Sequence, residues 1–223
     1  MSNIFSASIG KKLIMSISGA FLMLFLLIHL IINLLLLFGE EAFNQGAHFM
    51  ATNPAIKLIE PLLAVGFIIH IIYASILTLQ NQKARPDSYK TVDQSNSSSW
   101  ASRNMYILGG TVLTFLVIHI INFYWKIKFG GGHALEEVIY DGVAMHNTYI
   151  LVASLFEIWW YDLIYVIGAI FLGLHLSHGF WSAFQSVGLS NDKCRKGISS
   201  FGMLYAILIG FGFSIIPIYF LIF

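Results

Sequence analysis

Residues 13–38 read LIMSISGAFLMLFLLIHLIINLLLLF, a run of 26 residues without a charge. About 20 apolar residues in a helix suffice to cross the hydrocarbon core of a bilayer, so this run predicts a membrane-spanning helix. The run also contains His29. Ionisable side chains at such a depth are costly and usually functional, so the stretch that predicts the membrane also indicates a site.

Four more apolar runs follow along the chain. With the first, the predicted spans are residues 13–38, 56–79, 105–124, 163–184 and 203–223. The fourth run is preceded by Trp159, Trp160 and Tyr161 between acidic residues, a cluster typical of an aromatic belt at the membrane surface. The pattern predicts an all-α fold, one integral membrane domain of five transmembrane helices over residues 1–223.

The composition agrees with this class. Of 223 residues, 57% are hydrophobic and 10% charged, whereas soluble domains run at about 45 to 50% and about 25%. A net charge of +1 gives no reason to expect a nucleic-acid partner. The single cysteine, Cys194, excludes an internal disulfide, a covalent CxxCH haem attachment and a cysteine-ligated iron–sulfur cluster within this chain.

The basic residues are unevenly divided between the two sides of the predicted membrane. Nine of the twelve fall on one side: Lys11, Lys12, Lys83, Arg85, Lys90, Arg103, Lys193, Arg195 and Lys196. By the positive-inside rule this side is cytoplasmic, so the N-terminus is predicted inside and the C-terminus outside. The polar, serine-rich residues 94–99 predict a flexible cytoplasmic connector.

Each of the first four predicted helices carries one histidine in its apolar run: His29, His70, His119 and His175. At 1.5 Å per residue, the first and third lie about 24 to 26 Å from the cytoplasmic charges, and the second and fourth about 20 Å. We call His29 and His119 the outer pair and His70 and His175 the inner pair. A lone intramembrane histidine is most often a packing residue, but one on each of four helices indicates a shared function.

Two pairs at two depths predict two bis-histidine haem sites in a helical bundle, since bundles build cofactor sites from side chains on facing helices. Tetrahedral zinc is the weaker interpretation, because its four ligands would have to converge at one depth. The first and third helices are also alike in sequence, for Gly19 and Gly109 each precede an outer histidine by ten residues. Ten residues span about 15 Å, so each glycine is expected near the inner pair, where it could give a flat macrocycle room. Ordinary helix packing is an equally good explanation of these glycines.

Three stretches carry a resemblance to a known family: Ile28-His29-Leu30, the outer loop EAFNQGAHFM at residues 41–50, and LHLSHGFWS at residues 174–182. Together they resemble the dihaem cytochrome b membrane anchor of succinate dehydrogenases and fumarate reductases, in its single-subunit, five-helix form. The match covers nearly the whole chain. It implies a haem-binding four-helix bundle with one peripheral helix, in the cytoplasmic (inner) membrane of a bacterium.

The resemblance also implies cofactors and partners. A flavoprotein subunit and an iron–sulfur subunit would dock on the cytoplasmic side, and the dicarboxylate active site would lie on these partners. The chain itself would pass electrons through two haem b groups between the iron–sulfur subunit and a membrane quinone, expected to be menaquinone. In the family, ligands of the proximal haem correspond to His70 and His175, and those of the distal haem to His29 and His119.

Further residues follow from the same resemblance. Ser16 matches a family position near a haem. His178, three residues after His175 and nearly on the same helix face, is expected to bind a haem propionate or face the headgroups, and not to be a ligand. Some relatives carry a glutamate where this chain has Gly173, so a proton route through that residue is not available. Polar residues at about the level of a quinone are not distinctive enough to assign: Asn33, His48, Glu60 and Asn122.

Two alternatives stay open. A cytochrome b subunit of a hydrogenase or formate dehydrogenase would keep the haems and change the partner. A proton-coupled transporter would use buried histidines as a relay, but it predicts histidines at graded depths and acidic residues at the midplane. The spans contain no carboxylate in their cytoplasmic three-fifths.

Overall fold

The structure, a computed structural model, describes residues 8–84, 100–130, 135–188 and 192–223. The predicted connector at residues 94–99 lies outside the described residues, as do Arg85 and Lys90, which contributed to the predicted orientation.

In the described residues the regular structure is helical apart from one short hairpin. In order, its elements are α1 (Ser8–Leu34) with a 3-10 turn (Leu35–Phe38), α2 (Glu40–Thr52), α3 (Pro54–Lys83), α4 (Trp100–Arg103), α5 (Met105–His119), a π-helical turn (Ile120–Tyr124), α6 (Trp125–Phe129), β1 (Glu137–Tyr140), β2 (Val143–His146), α7 (Thr148–Phe156), α8 (Trp159–Ser186) and α9 (Asp192–Ile222).

In the part of the chain that the structure describes, five helices are long and apolar enough to cross a membrane: Ser8–Phe38, Pro54–Lys83, Met105–Phe129, Trp159–Ser186 and Cys194–Ile222. The prediction of a multi-pass helical membrane protein with five spans is therefore confirmed. Each helix extends beyond the apolar run that predicted it, because backbone hydrogen bonding continues into the polar flanks whereas the run marks only the apolar part. The fourth helix accordingly begins at Trp159.

The hairpin was not part of the all-α prediction. Strands β1 and β2 pair antiparallel, with Glu137 opposite His146 and Tyr140 opposite Val143. Between them, Asp141 and Gly142 both have positive φ, 51° and 77°. This is the backbone conformation of the two-residue turns for which Asp-Gly is a preferred sequence.

Helices α8 and α9 form the closest helix pair in the described part of the chain. Their backbones approach at Gly173 and Gly210, where a Cβ atom on either glycine would lie 3.4 Å from the other's Cα atom. Small residues at such crossings let membrane helices pack closely. The fifth helix carries no histidine and is peripheral to the histidine pairs in that sense. It is nevertheless well packed against the other helices.

Helix α9 also packs against α1. The Tyr205 hydroxyl on α9 donates a 2.6 Å hydrogen bond to the backbone carbonyl of Met23 on α1, and the side chain of Leu30 lies against Gly212. Helix α1 thus contacts both α8 and α9.

Helix α3 has fewer protein neighbours. It packs chiefly along α1, where the ring of Phe21 lies against Gly66, and it has little contact with α5. Most of its apolar surface is exposed.

The end of the bundle opposite the N-terminus is covered by α2, the β1–β2 hairpin and α7, which we call the cap. Phe43 of α2 and Phe156 of α7 belong to one apolar core with Phe123 and Tyr165 of the bundle. Helix α7 begins at Asn147, whose side chain accepts a 3.2 Å hydrogen bond from the Ile150 amide. The cap is therefore continuous with the core of the bundle.

Candidate functional site

In the structure the four histidines meet as the same two pairs that their depths along the helices predicted. The rings of the inner pair, His70 on α3 and His175 on α8, have centroids 6.4 Å apart and planes at 72°. The rings of the outer pair, His29 on α1 and His119 at the end of α5, have centroids 5.7 Å apart and planes at 89°. Among the described residues, no three His, Cys, Asp or Glu side chains converge. The four histidines therefore form two separate pairs of possible metal ligands.

The glycines of the first and third spans lie at the level of the inner pair. A Cβ atom on Gly19 would lie 3.4 Å from Cε1 of His70 and 3.7 Å from its Nδ1. A Cβ atom on Gly109 would lie at the same distances from the same atoms of His175. Since each glycine precedes an outer histidine by ten residues of helix, the two pairs are separated by about 15 Å along the bundle.

Hydrogen bonding differs among the four rings. Ser18 Oγ lies 3.4 Å from Nδ1 of His70. The Asn33 amide nitrogen lies 3.4 Å from Nδ1 of His29 and donates a 2.7 Å bond to the His29 carbonyl. Nδ1 of His175 is buried and has no hydrogen-bond partner among the described residues. His70 therefore has a hydroxyl oxygen beside Nδ1, and His29 has an amide donor.

Aromatic rings surround the outer pair. Phe25 and Phe115 each precede an outer histidine by four residues and pack on its ring, with centroid distances of 5.2 and 6.1 Å. Phe123 and Tyr165 lie 5.4 and 6.2 Å from the ring of His119. These rings give the outer pair apolar surroundings.

The π-helical turn after His119 changes the direction of the following side chains. Asn122 donates a 3.2 Å hydrogen bond to the Tyr165 hydroxyl on α8, whereas Asn33, its counterpart on α1, bonds back to His29. π-Turns often occur at functional sites. The likeness of α1 and α5 therefore holds for the glycines and outer histidines but ends before the asparagines.

A buried polar network joins the parts of the cap. Asn44 of α2 is fully buried, donates to the Asn147 side chain at 2.9 Å, and accepts from the Thr148 hydroxyl at 3.0 Å and the Tyr149 amide at 2.9 Å. Glu40 accepts from Asn147 at 2.7 Å. Asn44 belongs to the stretch at residues 41–50, which was expected as a loop and forms a helix.

Ser16 and His178, the other residues predicted near the haems, do not belong to either pair. Ser16 is buried near the N-terminal end, where its hydroxyl donates to the Lys12 carbonyl at 2.9 Å, and it lines a small apolar cavity with Ala183 and Phe184. His178 is half-buried one turn beyond His175, and the ring facing His70 is that of His175.

Most of the polar residues considered as quinone ligands already form hydrogen bonds within the protein. Glu60 on α3 accepts from the Tyr124 hydroxyl at 2.6 Å and from Lys128 at 2.8 Å, which ties α3 to the end of the third span. Asn33 and Asn122 are bonded as described above. His48 lies on α2, where its carbonyl accepts from Thr52. None of these contacts selects one residue as a quinone ligand.

The residues present fit two bis-histidine haems. Two imidazoles that bind one metal from opposite sides, with each nitrogen about 2 Å from it, have ring centroids roughly 6 Å apart, and the two pairs show 5.7 and 6.4 Å. Glycine backbone lies beside both inner rings, where a side chain larger than a methyl group would meet the ring. Nδ1 of His175 has no hydrogen-bond partner among the described residues, so the inner site is not filled by hydrogen bonds at this ring.

Scans of the chain against protein-family models, curated proteins and solved structures found no match. The arguments about function therefore rest on the residues themselves.

Sequence reasoning missed two features of this region. Ser18, beside His70, was passed over in favour of Ser16, although its place directly before Gly19 put it at the level of the inner pair. Asp162, in the first turn of α8, is 2% exposed, and neither carboxylate oxygen has a hydrogen-bond partner among the described residues. The positive end of the helix dipole favours an acidic residue there, but no sequence pattern indicates that this one is buried.

Proposed function

We propose that this chain is the membrane-anchor cytochrome b of a succinate:quinone oxidoreductase, and that it passes electrons through two b haems between an iron–sulfur subunit and a membrane quinone. The observation that carries the proposal is the meeting of four intramembrane histidines, one from each of four helices, as two pairs at two levels. The motifs at residues 41–50 and 174–182 support the choice of this family over other quinone-linked cytochromes b.

In this proposal His70 and His175 hold the proximal haem, and His29 and His119 the distal one. Haem iron with two histidine ligands supplies one-electron transfer and has no open coordination position. The remaining functions belong to the protein. The helices fix the four rings at two levels, the aromatic side chains exclude water from the outer pair, and the glycines leave space beside the inner pair.

The orientation follows from the basic residues. The N-terminal end of the bundle would face the cytoplasm and receive the flavoprotein and iron–sulfur subunits, in the inner membrane of a bacterium. The cap would then lie outside, next to the distal haem. Quinone, expected to be menaquinone, would react within the membrane.

A relay of protons through the histidines is less well supported. A relay requires groups in sequence along one path, whereas the inner and outer pairs are separated by about 15 Å of helix. Each of the four histidine rings meets one other histidine ring, and that ring lies at its own level.

The test is the haem content of the full chain expressed in bacterial membranes. We expect a b-type α-band in the dithionite-reduced minus oxidised spectrum and two haems per polypeptide. Replacing His29 or His119 by alanine should remove one haem, and replacing His70 or His175 should remove the other. His146→Ala, an exposed residue at the end of β2, is the matched control and should keep both.

A wild-type chain without haem would overturn the proposal. So would full content of both haems in any of the four ligand variants, or loss of a haem in His178→Ala with both retained in His175→Ala. Co-purification with a covalent flavoprotein then distinguishes a succinate:quinone oxidoreductase from a hydrogenase or formate dehydrogenase, because only the former predicts it.

A further inference from the structure

The hydroxyl of Ser18 faces the inner pair as a hydrogen-bond acceptor. Ser18 is 8% exposed, and its Oγ donates a 3.0 Å hydrogen bond to the Met15 carbonyl on its own helix. A hydroxyl has one proton to give. With that proton engaged at Met15, the lone pairs of Oγ are what His70 Nδ1 meets at 3.4 Å.

An acceptor beside Nδ1 selects one form of the neutral imidazole. It favours the tautomer with its proton on Nδ1, which leaves the lone pair on Nε2 free to bind a metal. Gly19, the next residue, brings the α1 backbone against the same Nδ1–Cε1 edge of the ring. Two adjacent residues of α1 thus lie against the same edge of the His70 ring, and the Ser18 hydroxyl favours one of its tautomers.

The ring of His175, the partner of His70, has the glycine backbone contact but no hydrogen-bond acceptor beside its Nδ1 among the described residues. Gly109 lies against His175 at the distances that Gly19 has from His70. The residue before Gly109 is Leu108, which is buried and apolar, and Nδ1 of His175 has no partner among the described residues. The environments of the two inner ligands therefore differ at Nδ1 by the Ser18 hydroxyl.

We infer that Ser18 is a positioning residue for the inner haem, which rests on the function proposed above. A hydrogen bond accepted from the non-coordinating N–H raises the basicity of a histidine ligand. A more basic ligand stabilises the more positive, oxidised iron. Ser18 therefore lowers the midpoint potential of the proximal haem through His70, without touching the reacting atoms, and has no such effect on the distal haem.

The test compares midpoint potentials in the full, haem-loaded chain. We expect Ser18→Ala to keep two haems and to shift the potential of the inner haem upward, and Ser18→Thr, which restores a hydroxyl, to return it toward the wild-type value. The inner haem is identified as the component lost in His175→Ala. Ser214→Ala is the control, because Ser214 is also buried and bonds back to a carbonyl, at Gly210, on α9.

The outcomes separate this inference from the proposed function. A wild-type chain that binds no haem refutes both. Two haems with unchanged potentials in Ser18→Ala refute the inference alone, as does an equal shift in Ser214→Ala. If Ser18→Ala loses the inner haem and Ser18→Thr regains it, the role of the hydroxyl is supported. Loss in both variants counts against it, because the hydroxyl would not be the group that matters.

Discussion

Gly173 on α8 and Gly210 on α9 are in direct backbone contact. A Cβ atom on Gly173 would lie 3.2 Å from the carbonyl oxygen of Ala206 and 3.4 Å from the Cα atom of Gly210. Some relatives in the family that this chain resembles carry a glutamate at the position of Gly173. In this chain the backbone of α9 fills the space beside Gly173, so no side chain can extend there unless α8 and α9 separate.

We therefore expect Gly173→Leu to lower the thermal stability of the purified protein, since forcing extra atoms into a packed interface costs about 1–3 kcal/mol or more. Gly110→Leu adds the same side chain at a glycine with open space beyond its Cα atom, and it should leave stability unchanged or raise it. Thermal unfolding in detergent measures both. Equal unfolding temperatures for the two variants would show that the α8–α9 contact does not limit the thermal stability of the protein.

A second prediction concerns the space beside the inner pair. A methyl group on Gly109 would make an ordinary contact with His175, so Gly109→Ala should retain both haems. The larger side chain in Gly109→Leu would have to displace the ring, and we expect it to reduce the content of the inner haem. The haem-to-protein ratio is the measurement, with Gly110→Leu as the control. Full content in Gly109→Leu would show that the glycine is not needed for clearance.

A third prediction concerns the cap. Asn44→Ala would remove the hydrogen bonds that Asn44 makes with Asn147, Thr148 and Tyr149, and a buried polar group left without a partner costs about 1–3 kcal/mol. We expect faster amide hydrogen exchange in α2 and α7, with little change in α8 and α9. Gln45→Ala is the matched control, because the exposed side chain of Gln45 bonds to Glu41 and to no other described residue. Unchanged exchange in Asn44→Ala would contradict the role of the network.

The pH dependence of the cap gives a fourth prediction. Burial, a hydrogen bond to Glu40 and the charge of Glu40 raise the pKa of Tyr140 above its usual value of about 10. The folded state thus prefers the neutral phenol more than the unfolded state does. This contribution to stability is complete below about pH 10 and is lost as the pH rises above it toward the folded-state pKa.

The unfolding temperature of the wild type should therefore fall between pH 8 and pH values above about 10. The fall should be smaller in Tyr140→Phe, which has no phenol to ionise. A fall of the same size in both would assign the alkaline loss of stability to other groups.

The spans and the histidine pairs could be predicted because they depend on properties that repeat along the chain. Apolar runs of sufficient length mark the spans, and the helical rise converts a position in a run into a depth. His29 could therefore be matched in depth with His119 before any contact was known. The hairpin at residues 137–146 was missed although Asp141-Gly142 is a recognised turn signal.

Other features could not be read in this way. The burial of Asn44 depends on α7, about a hundred residues later, and a polar residue in a polar stretch carries no sign of its partners. Asn122, three residues after His119 and within a π-turn, bonds to Tyr165, whereas Asn33, four residues after His29, bonds back to its own helix. Ser18 and Ser16 look alike in sequence, and only the contact with His70 distinguishes them.

The exposed position of α3 has a consequence for assembly. This helix packs along α1 and has little contact with the third span, yet it carries His70, which must meet His175 on α8. A helix attached along one edge can move aside at the least cost in lost packing, so in the proposed cytochrome b the α3 side would be the entrance for haem. Final closure of the bundle would then follow loading with the cofactor, and the apoprotein would be the form most open to proteolysis.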